Sequence, residues 1–289
     1  MIPVSSRVGP IILAHRGGNE VAPENSLEAF AVARQLGIRH IETDVHLTAD
    51  GKVVVHHDPM IDRVYNGSGL IAQMTWDELK TYTNDHGDRI PLLSEALETF
   101  PDLYFNIDAK VPGVEGPLLD VVRQTHAENR VVLASFNERR LKWLREQSQG
   151  QIATSLGSQS VVRLVAAAKS ATKTRTWRIP GSHQGVVAAQ VPLSFGPVTV
   201  VDRRFVAAAH SHGLAVHVWT VDEIDDLNQL IALGVDGFVT NKPKYLRDYL
   251  IDRGLWEELP APGAMRGQHQ RTGTAVFRDL DDLAAIHGV

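Results

Sequence analysis

Eight short apolar runs, most of them rich in β-branched residues, recur along this chain: IILA near 11–14, IETDV at 41–45, LYFNID at 103–108, VVLAS at 131–135, QIATS at 151–155, VVAAQ at 186–190, AVHVWT at 215–220 and GFVT at 237–240. Runs of that length, bounded by turn residues, read as strands buried on at least one face. Most are separated by stretches with helical spacing. Asn25 with Glu28 three residues on resembles a capping box opening LEAFAVARQLG, which Gly37 stops,. SEALETF follows Pro91, and Gly213 and Gly234 close two more helical stretches,. Eight strands alternating with helices over about 250 residues point to an α/β chain folded as a (β/α)8 barrel, a TIM barrel, rather than an open doubly wound sheet.

Residues 1–255 are expected to form that barrel, with a small insertion after the second strand at about 59–92. The insertion carries YNGSG as a loop and TWDELKTY as a short helix. A tail follows at 256–289, loop-like except for FRDLDDLAAI, whose spacing suits a short amphipathic helix,.

Composition excludes several classes. The net charge is −5, with no basic block to neutralise a phosphate backbone, so nucleic acid is not an expected partner,. There is no cysteine, which removes disulfides, thiolate chemistry and sulfur-ligated metals,. The opening MIPVSSRVGPIILAHRG lacks a basic segment followed by a long apolar one. The most apolar helical run, VVRLVAAAK, carries Arg163 and Lys169, so a soluble cytoplasmic protein is expected,.

The stretch IETDVHLTADGKVVVHHD at 41–58 places carboxylates and imidazoles where a sheet wants its core. Asp50-Gly51 is a strong two-residue hairpin signal. With those two residues as the turn, 49 faces 52, His46 faces Val55 and Asp44 faces His57, with β-carbons about 4.5–5.5 Å apart. Glu42 and Asp44 share a face ~6.6 Å apart along the strand, and Ile41, Thr43 and Val45 take the other. Such a face is either solvated or gathered around a cation. Oxygen donors without cysteine would select Mg²⁺ or Ca²⁺, with Mn²⁺ as a further candidate.

Other segments favour the second arrangement. In a barrel the carboxyl ends of the strands face the active site, and the first strand ends there in AHRGG, with His15 and Arg16,. The run LYFNIDAK brings Asp108 and Lys110 to the same rim,. The set is then Glu42, Asp44 and Asp108 as metal ligands, His15 and His57 for proton transfer, and Arg16 and Lys110 for an anion, which suits a phosphate ester. His210 and His212, two apart in a helical pattern, do not face each other and are no metal pair. His46 is at most secondary to the rim, His56 falls on the opposite face from His57, and Glu24 and Asn25 fix the loop and the helix start.

HRGGNEVAPENSLEAF, IETDVHLTADGKVVVHHD and the spacing between them closely resemble the glycerophosphodiester phosphodiesterase family. The likeness continues through DRVYNGSGLIAQMTWDEL, IPLLSEAL, FNIDAK, ASFN, VHVWTVD and GVDGFVTNKP, about residues 11–246. It implies a TIM barrel with an insertion after the second strand and a divalent metal on Glu42, Asp44 and Asp108. It also implies catalytic His15 and His57, phosphate contacts from Arg16 and Lys110, and Trp219 as an apolar wall for glycerol. The expected reaction is hydrolysis of a glycerophosphodiester, a small-molecule partner, to glycerol 3-phosphate and an alcohol. A lysophospholipase D and a catalytically silent binding barrel are the rivals. Three departures stand out: Asp108 where the family commonly has Glu, PENS for PENT, and Thr240-Asn241 for a frequent Thr-Asp. The last two are not expected to touch the chemistry. The insertion needs its apolar residues for its own core, so water-soluble substrates are expected to be preferred over lysophospholipids.

Overall fold

The computed structural model describes residues 8–20, 22–170 and 174–262. In chain order its strands are β1 (Ile11–His15), β2 (His40–Leu47), β3 (Val53–Val55), β4 (Tyr104–Ala109), β5 (Val131–Ala134), β6 (Ala153–Ser155), β7 (Val186–Pro192), β8 (Ser194–Phe195), β9 (Val198–Thr199), β10 (Ala215–Trp219) and β11 (Gly237–Thr240). Its α-helices are α1 (Leu27–Gln35), α2 (Trp76–Leu79), α3 (Leu93–Thr99), α4 (Glu115–Gln124), α5 (Glu138–Gln147), α6 (Ser158–Ser170), α7 (Arg203–Ser211), α8 (Ile224–Ala232) and α9 (Pro243–Asp252). Strands β1, β2, β4, β5, β6, β7, β10 and β11 pair in parallel, in that order, and β11 returns to β1. These are the eight runs seen in the sequence, closed into a TIM barrel.

Closure depends on the period of two along each strand. On β1, Ile12 and Ala14 join the large cluster between sheet and helices, whereas Ile11 and Leu13 meet Val239 inside the barrel. His15, on that inner face, opens into the cavity at the carboxyl end. On β2, Ile41 and Val45 are buried in the outer cluster with Phe30 and Phe105, which meet edge to face at 5.7 Å. Glu42 and Asp44 are thereby turned inward.

Two local expectations are corrected. The hairpin between β2 and β3 has a three-residue loop, because the Thr48 hydroxyl both donates to Asp50 Oδ1 (2.6 Å) and accepts the Lys52 N–H (2.8 Å), and Gly51 takes φ 77°,. The ladder slips by one residue: His46 faces Val54 rather than Val55, and the His56 N–H donates to the Asp44 carbonyl. Asp44 therefore does not face His57, which lies beyond the strand. The cap of α1 is Ser26, whose hydroxyl accepts the Ala29 N–H at 3.0 Å, and not Asn25, which sits at φ 55° and reaches β2 instead.

The insertion after β3 encloses a small core of Ile61, Tyr65, Ile71, Leu79 and Ile90 against Val54. Its α2 is capped by the reciprocal Thr75–Glu78 pair, and the Val55 N–H bond to the Pro91 carbonyl returns the chain to the barrel,. Below the barrel, Leu259 packs against the Ile11–Leu13–Val239 group, and Glu258 accepts from Arg39 at 2.8 Å. The helix expected at FRDLDDLAAI lies outside the described residues. Among the described residues no helix is long and apolar enough to cross a membrane.

Candidate active site

Register places the polar groups in layers. His15 lies beside Glu42 and Glu42 beside Asn106; one step towards the rim, Asp44 lies beside Asp108. All seven polar positions read from the sequence line a single cavity of about 580 Å³. Trp219 lines it as well, meeting Phe136 edge to face at 5.8 Å.

The turn after β1 is shaped by Arg16, Gly17 and Gly18 at φ 54°, 86° and 90°. A β-carbon on Gly17 would stand 2.7 Å from that of Ala29, so glycine is required by close packing as well as by its dihedral,. The turn points the Arg16 N–H at Glu42 Oε2 (3.3 Å) and brings its guanidinium Nε to 3.5 Å from Asp44 Oδ2. Asn25 donates to that same Asp44 oxygen at 3.0 Å and accepts from Thr43 at 2.7 Å. Lys110 Nζ sits 2.8 Å from both Asp44 Oδ1 and Asp108 Oδ2. Behind it, buried Arg140 donates to the Ala109 carbonyl at 2.7 Å and steadies the end of β4.

An ionic chain crosses the mouth of the barrel. His57 Nδ1 is 2.6 Å from Asp58 Oδ1, Asp58 Oδ2 accepts from Arg63 Nε (2.6 Å), both Arg63 amino groups reach Glu24, and Glu24 accepts from Arg16 at 2.9 Å. Arg63 comes from the insertion, which thus ties the His57 loop to the Arg16 loop. Burial alone would raise the Asp58 carboxyl, but Arg63 and His57 hold it down at about 2. His46 Nε2 donates to the His57 carbonyl at 3.0 Å and supports that loop from below. His56 turns away into the insertion, where it meets Tyr65 and donates to the Met60 carbonyl.

His15 is held differently. Its Nδ1 lies 2.6 Å from Asn241 Oδ1, and Asn241 Nδ2 donates to Asp222 Oδ2 at 2.7 Å. The substitution expected to leave the chemistry untouched is therefore in contact with an imidazole at its centre. Burial lowers the His15 pKa, with the Asn241 bond acting against it.

Three buried carboxylates share this space. Burial, then the charges of Asp44 and Asp108, push the Glu42 pKa well up, and burial raises that of Asp108. Lys110 is held raised, because the Asp108 and Asp44 charges outweigh its own desolvation. One oxygen, Asp108 Oδ1, is buried without a hydrogen-bond partner. Among the described residues no three His, Asp or Glu side chains stand close enough together to hold an ion as they are. The Lys110 ammonium occupies the place between Asp44 and Asp108 that a cation would take. The orphaned oxygen and the strained ionisation of Glu42 nevertheless mark an oxygen donor set short of positive charge, which a hard divalent cation fits.

Several contributors were missed in the sequence. Asp58 was visible in HHD but carried no assigned role, Asn241 stood out only as a departure from a frequent Thr-Asp, and Arg63 and Asp222 gave no local signal. Across the barrel floor Gln190 donates to Asn106 at 2.8 Å and lies 3.4 Å from His217 Nδ1. His210 and His212 go separate ways, to Asp236 and to the Ile179 carbonyl.

An eight-stranded parallel barrel with acids, imidazoles and basic side chains gathered in one cavity at the carboxyl ends of its strands defines an α/β barrel with a candidate active site at that face,. Residues 15–245 match the model of the glycerophosphoryl diester phosphodiesterase family. The chain belongs to that family and is a phosphoric diester hydrolase. It is 34% identical over 250 residues to "Probable glycerophosphodiester phosphodiesterase 2" of Mycobacterium tuberculosis, covering 86% of this chain and 94% of that one. It is 28% identical to a glycerophosphodiester phosphodiesterase of Caldanaerobacter subterraneus, covering 82% and 96%. A phosphodiesterase of Oleispira antarctica, solved with the product sn-glycerol-3-phosphate, superposes with a TM-score of 0.70 at 25% identity, covering 87% of this chain and all of that one.

Proposed function

We propose that this enzyme cleaves glycerophosphodiesters to glycerol 3-phosphate and an alcohol, with His15 as general base and His57 as general acid. The observation that carries the division of labour is the pair of Nδ1 contacts. The Asn241 amide is oriented by Asp222, so its oxygen must accept, and His15 keeps its proton on Nδ1,. That leaves the His15 Nε2 lone pair towards the cavity, and the lowered pKa keeps it available,. His57 Nδ1 instead donates to the carboxylate of Asp58, which orients the ring with Nε2 towards the cavity as the proton donor,.

Arg16 and Lys110 bind the non-bridging oxygens of the phosphate and offset charge as the bond breaks. Glu42, Asp44 and Asp108 would hold one divalent cation, Mg²⁺, Ca²⁺ or Mn²⁺, which polarises the phosphoryl oxygen when bound. The product named for the Oleispira antarctica structure supports glycerol 3-phosphate as the product here.

The test is leaving-group dependence. On glycerophosphocholine, His15→Ala and His57→Ala should each lower kcat by about 10² to 10⁴-fold. On a p-nitrophenyl phosphodiester, whose leaving group needs no proton, only His15→Ala should do so. Equal losses on both substrates for both variants would refute the assignment.

A further inference from the structure

The active-site cavity has two unlike halves. Its charged groups come from the ends of β1, β2 and β4, and the opposite wall comes from the segments after β5, β6 and β7 and from the β8–β9 hairpin. That wall is built of Phe136, Leu156, Val161, Val165, Val200 and Trp219, and from Ala134 to Trp219 the charged side chains are absent from the lining. At its outer end the apolar surface runs into solvent: Phe136 is 62% exposed, Val162 67% and Phe195 77%. Large side chains left this exposed, contiguous and beside an active site mark a surface that something apolar covers.

The sequence suggested that the insertion at 59–92 would have to supply any apolar groove and could spare nothing for it. The insertion does keep Ile61, Tyr65, Ile71, Leu79 and Ile90 in its own core, while Met60 and Leu70 are exposed and do not line the cavity. The groove comes from elsewhere, from α6 and the β8–β9 hairpin on the far side of the mouth.

We propose that this half of the cavity holds a single acyl chain of the substrate, so that the preferred substrates are monoacyl glycerophosphodiesters, the lysophospholipids. The inference rests on the hydrolytic reading above and names its substrate class. Continuity fixes the occupant: one cavity joins Arg16, Lys110 and His15 to Val161 and Val165, so its ligand carries a phosphodiester at one end and an apolar chain at the other. A bare glycerophosphodiester would leave that wall against water. A cationic head group would find no carboxylate along it, so the acyl chain, and not the alcohol's head group, belongs there. In the reaction water adds to phosphorus, forming one P–O bond, and the P–O bond to the alcohol breaks. The proton taken from water by His15 is matched by the one His57 returns to the alcohol, and the products are a monoacylglycerol phosphate and the free alcohol.

The test compares glycerophosphocholine with hexanoyl-, octanoyl- and decanoyl-lysophosphatidylcholine, each below its micelle concentration and with Mg²⁺, Ca²⁺ or Mn²⁺ supplied. Full transfer of a CH₂ contributes about 0.8 kcal/mol, which is about fourfold, and a groove open on one side should retain at least about twofold per CH₂. The expected result is a kcat/KM that climbs with chain length over this series and exceeds that for glycerophosphocholine. In Val162→Asp and Phe195→Ser, both at exposed positions where folding is not at stake, the ratio of decanoyl to glycerophosphocholine kcat/KM should fall at least tenfold. Turnover of glycerophosphocholine with a flat or falling response to chain length would overturn the acyl-chain site and leave the hydrolytic reading standing. An unchanged ratio in both variants would also overturn the site. Turnover of neither class with any of the three ions would overturn the hydrolytic reading and the site with it.

Discussion

Asn25 joins the loop after β1 to the centre of the site, and its replacement tests how far the site's geometry depends on one neutral side chain. It is 1% exposed, holds φ 55°, donates to Asp44 Oδ2 at 3.0 Å and accepts from Thr43 Oγ1 at 2.7 Å. In Asn25→Ala the bond to a charged acceptor goes, at about 1.5–3 kcal/mol, and the fully buried Thr43 hydroxyl loses its acceptor, at about 1–3 kcal/mol. Alanine also bears about 1–2 kcal/mol of left-handed backbone that asparagine tolerates better. Neighbouring losses overlap, so about 3–5 kcal/mol is expected in total, a large part of the ~5–15 kcal/mol that holds a domain folded. Asn25→Gly, which relieves only the backbone, should recover about 1 kcal/mol of it. Urea titrations of the three proteins at neutral pH would measure both differences as midpoint shifts at constant m. Turnover should fall in both variants, because Asp44 loses the donor that orients it. An alanine variant within 1 kcal/mol of wild type, or a glycine variant less stable than the alanine one, would refute this account.

Chelation should abolish turnover, and Mg²⁺, Ca²⁺ or Mn²⁺ should restore it. The same ions should raise the Tm of the stripped enzyme, since they bind the folded carboxylate set, and full activity after exhaustive chelation would sink the metal assignment. Asn241→Ala should lower kcat about 10-fold or more with little change in KM, because His15 loses the contact that sets its tautomer; a change confined to KM would point to a different role. His210 has a raised pKa, chiefly from its hydrogen bond to Asp236, so its stabilisation is fully present below its unfolded value near 6.5 and fades as pH rises through the raised value,. With the imidazole 41% exposed, His210→Gln should cost only about 0.5–1 kcal/mol at pH 5.5 and close to nothing at pH 9, and an equal loss at both would contradict it,.

The hairpin at 48–52 shows where local pattern ends. Asp50-Gly51 does turn the chain, but whether the loop has two residues or three is decided by the Thr48 hydroxyl, which bonds both Asp50 and Lys52. One extra residue was enough to replace His57 by His56 opposite Asp44, because the side-chain period of a strand is two,. His57 still reaches the cavity, through a loop held by His46 and Asp58. Asn25 shows the same limit: its spacing to Glu28 imitated a cap, while Ser26 did the capping.

Local signals carried the eight strands and the loop and short helix of the insertion, since alternation of apolar and polar residues is a local property that burial enforces wherever the strand lies; whether the face of Glu42 and Asp44 met solvent or a shared cavity was left to barrel closure. The partners of those groups were decided by barrel closure, which sets Asn241 of the last strand's exit against His15 of the first, 226 residues apart, and Arg63 of the insertion against Glu24. The apolar half of the cavity is of the same kind: Phe136, Val162, Phe195 and Trp219 lie on four separate elements or loops, and only the closed ring of strands brings their side chains to one wall. A linear pattern records which face each residue takes, and contact between distant segments depends on the three-dimensional path that joins them.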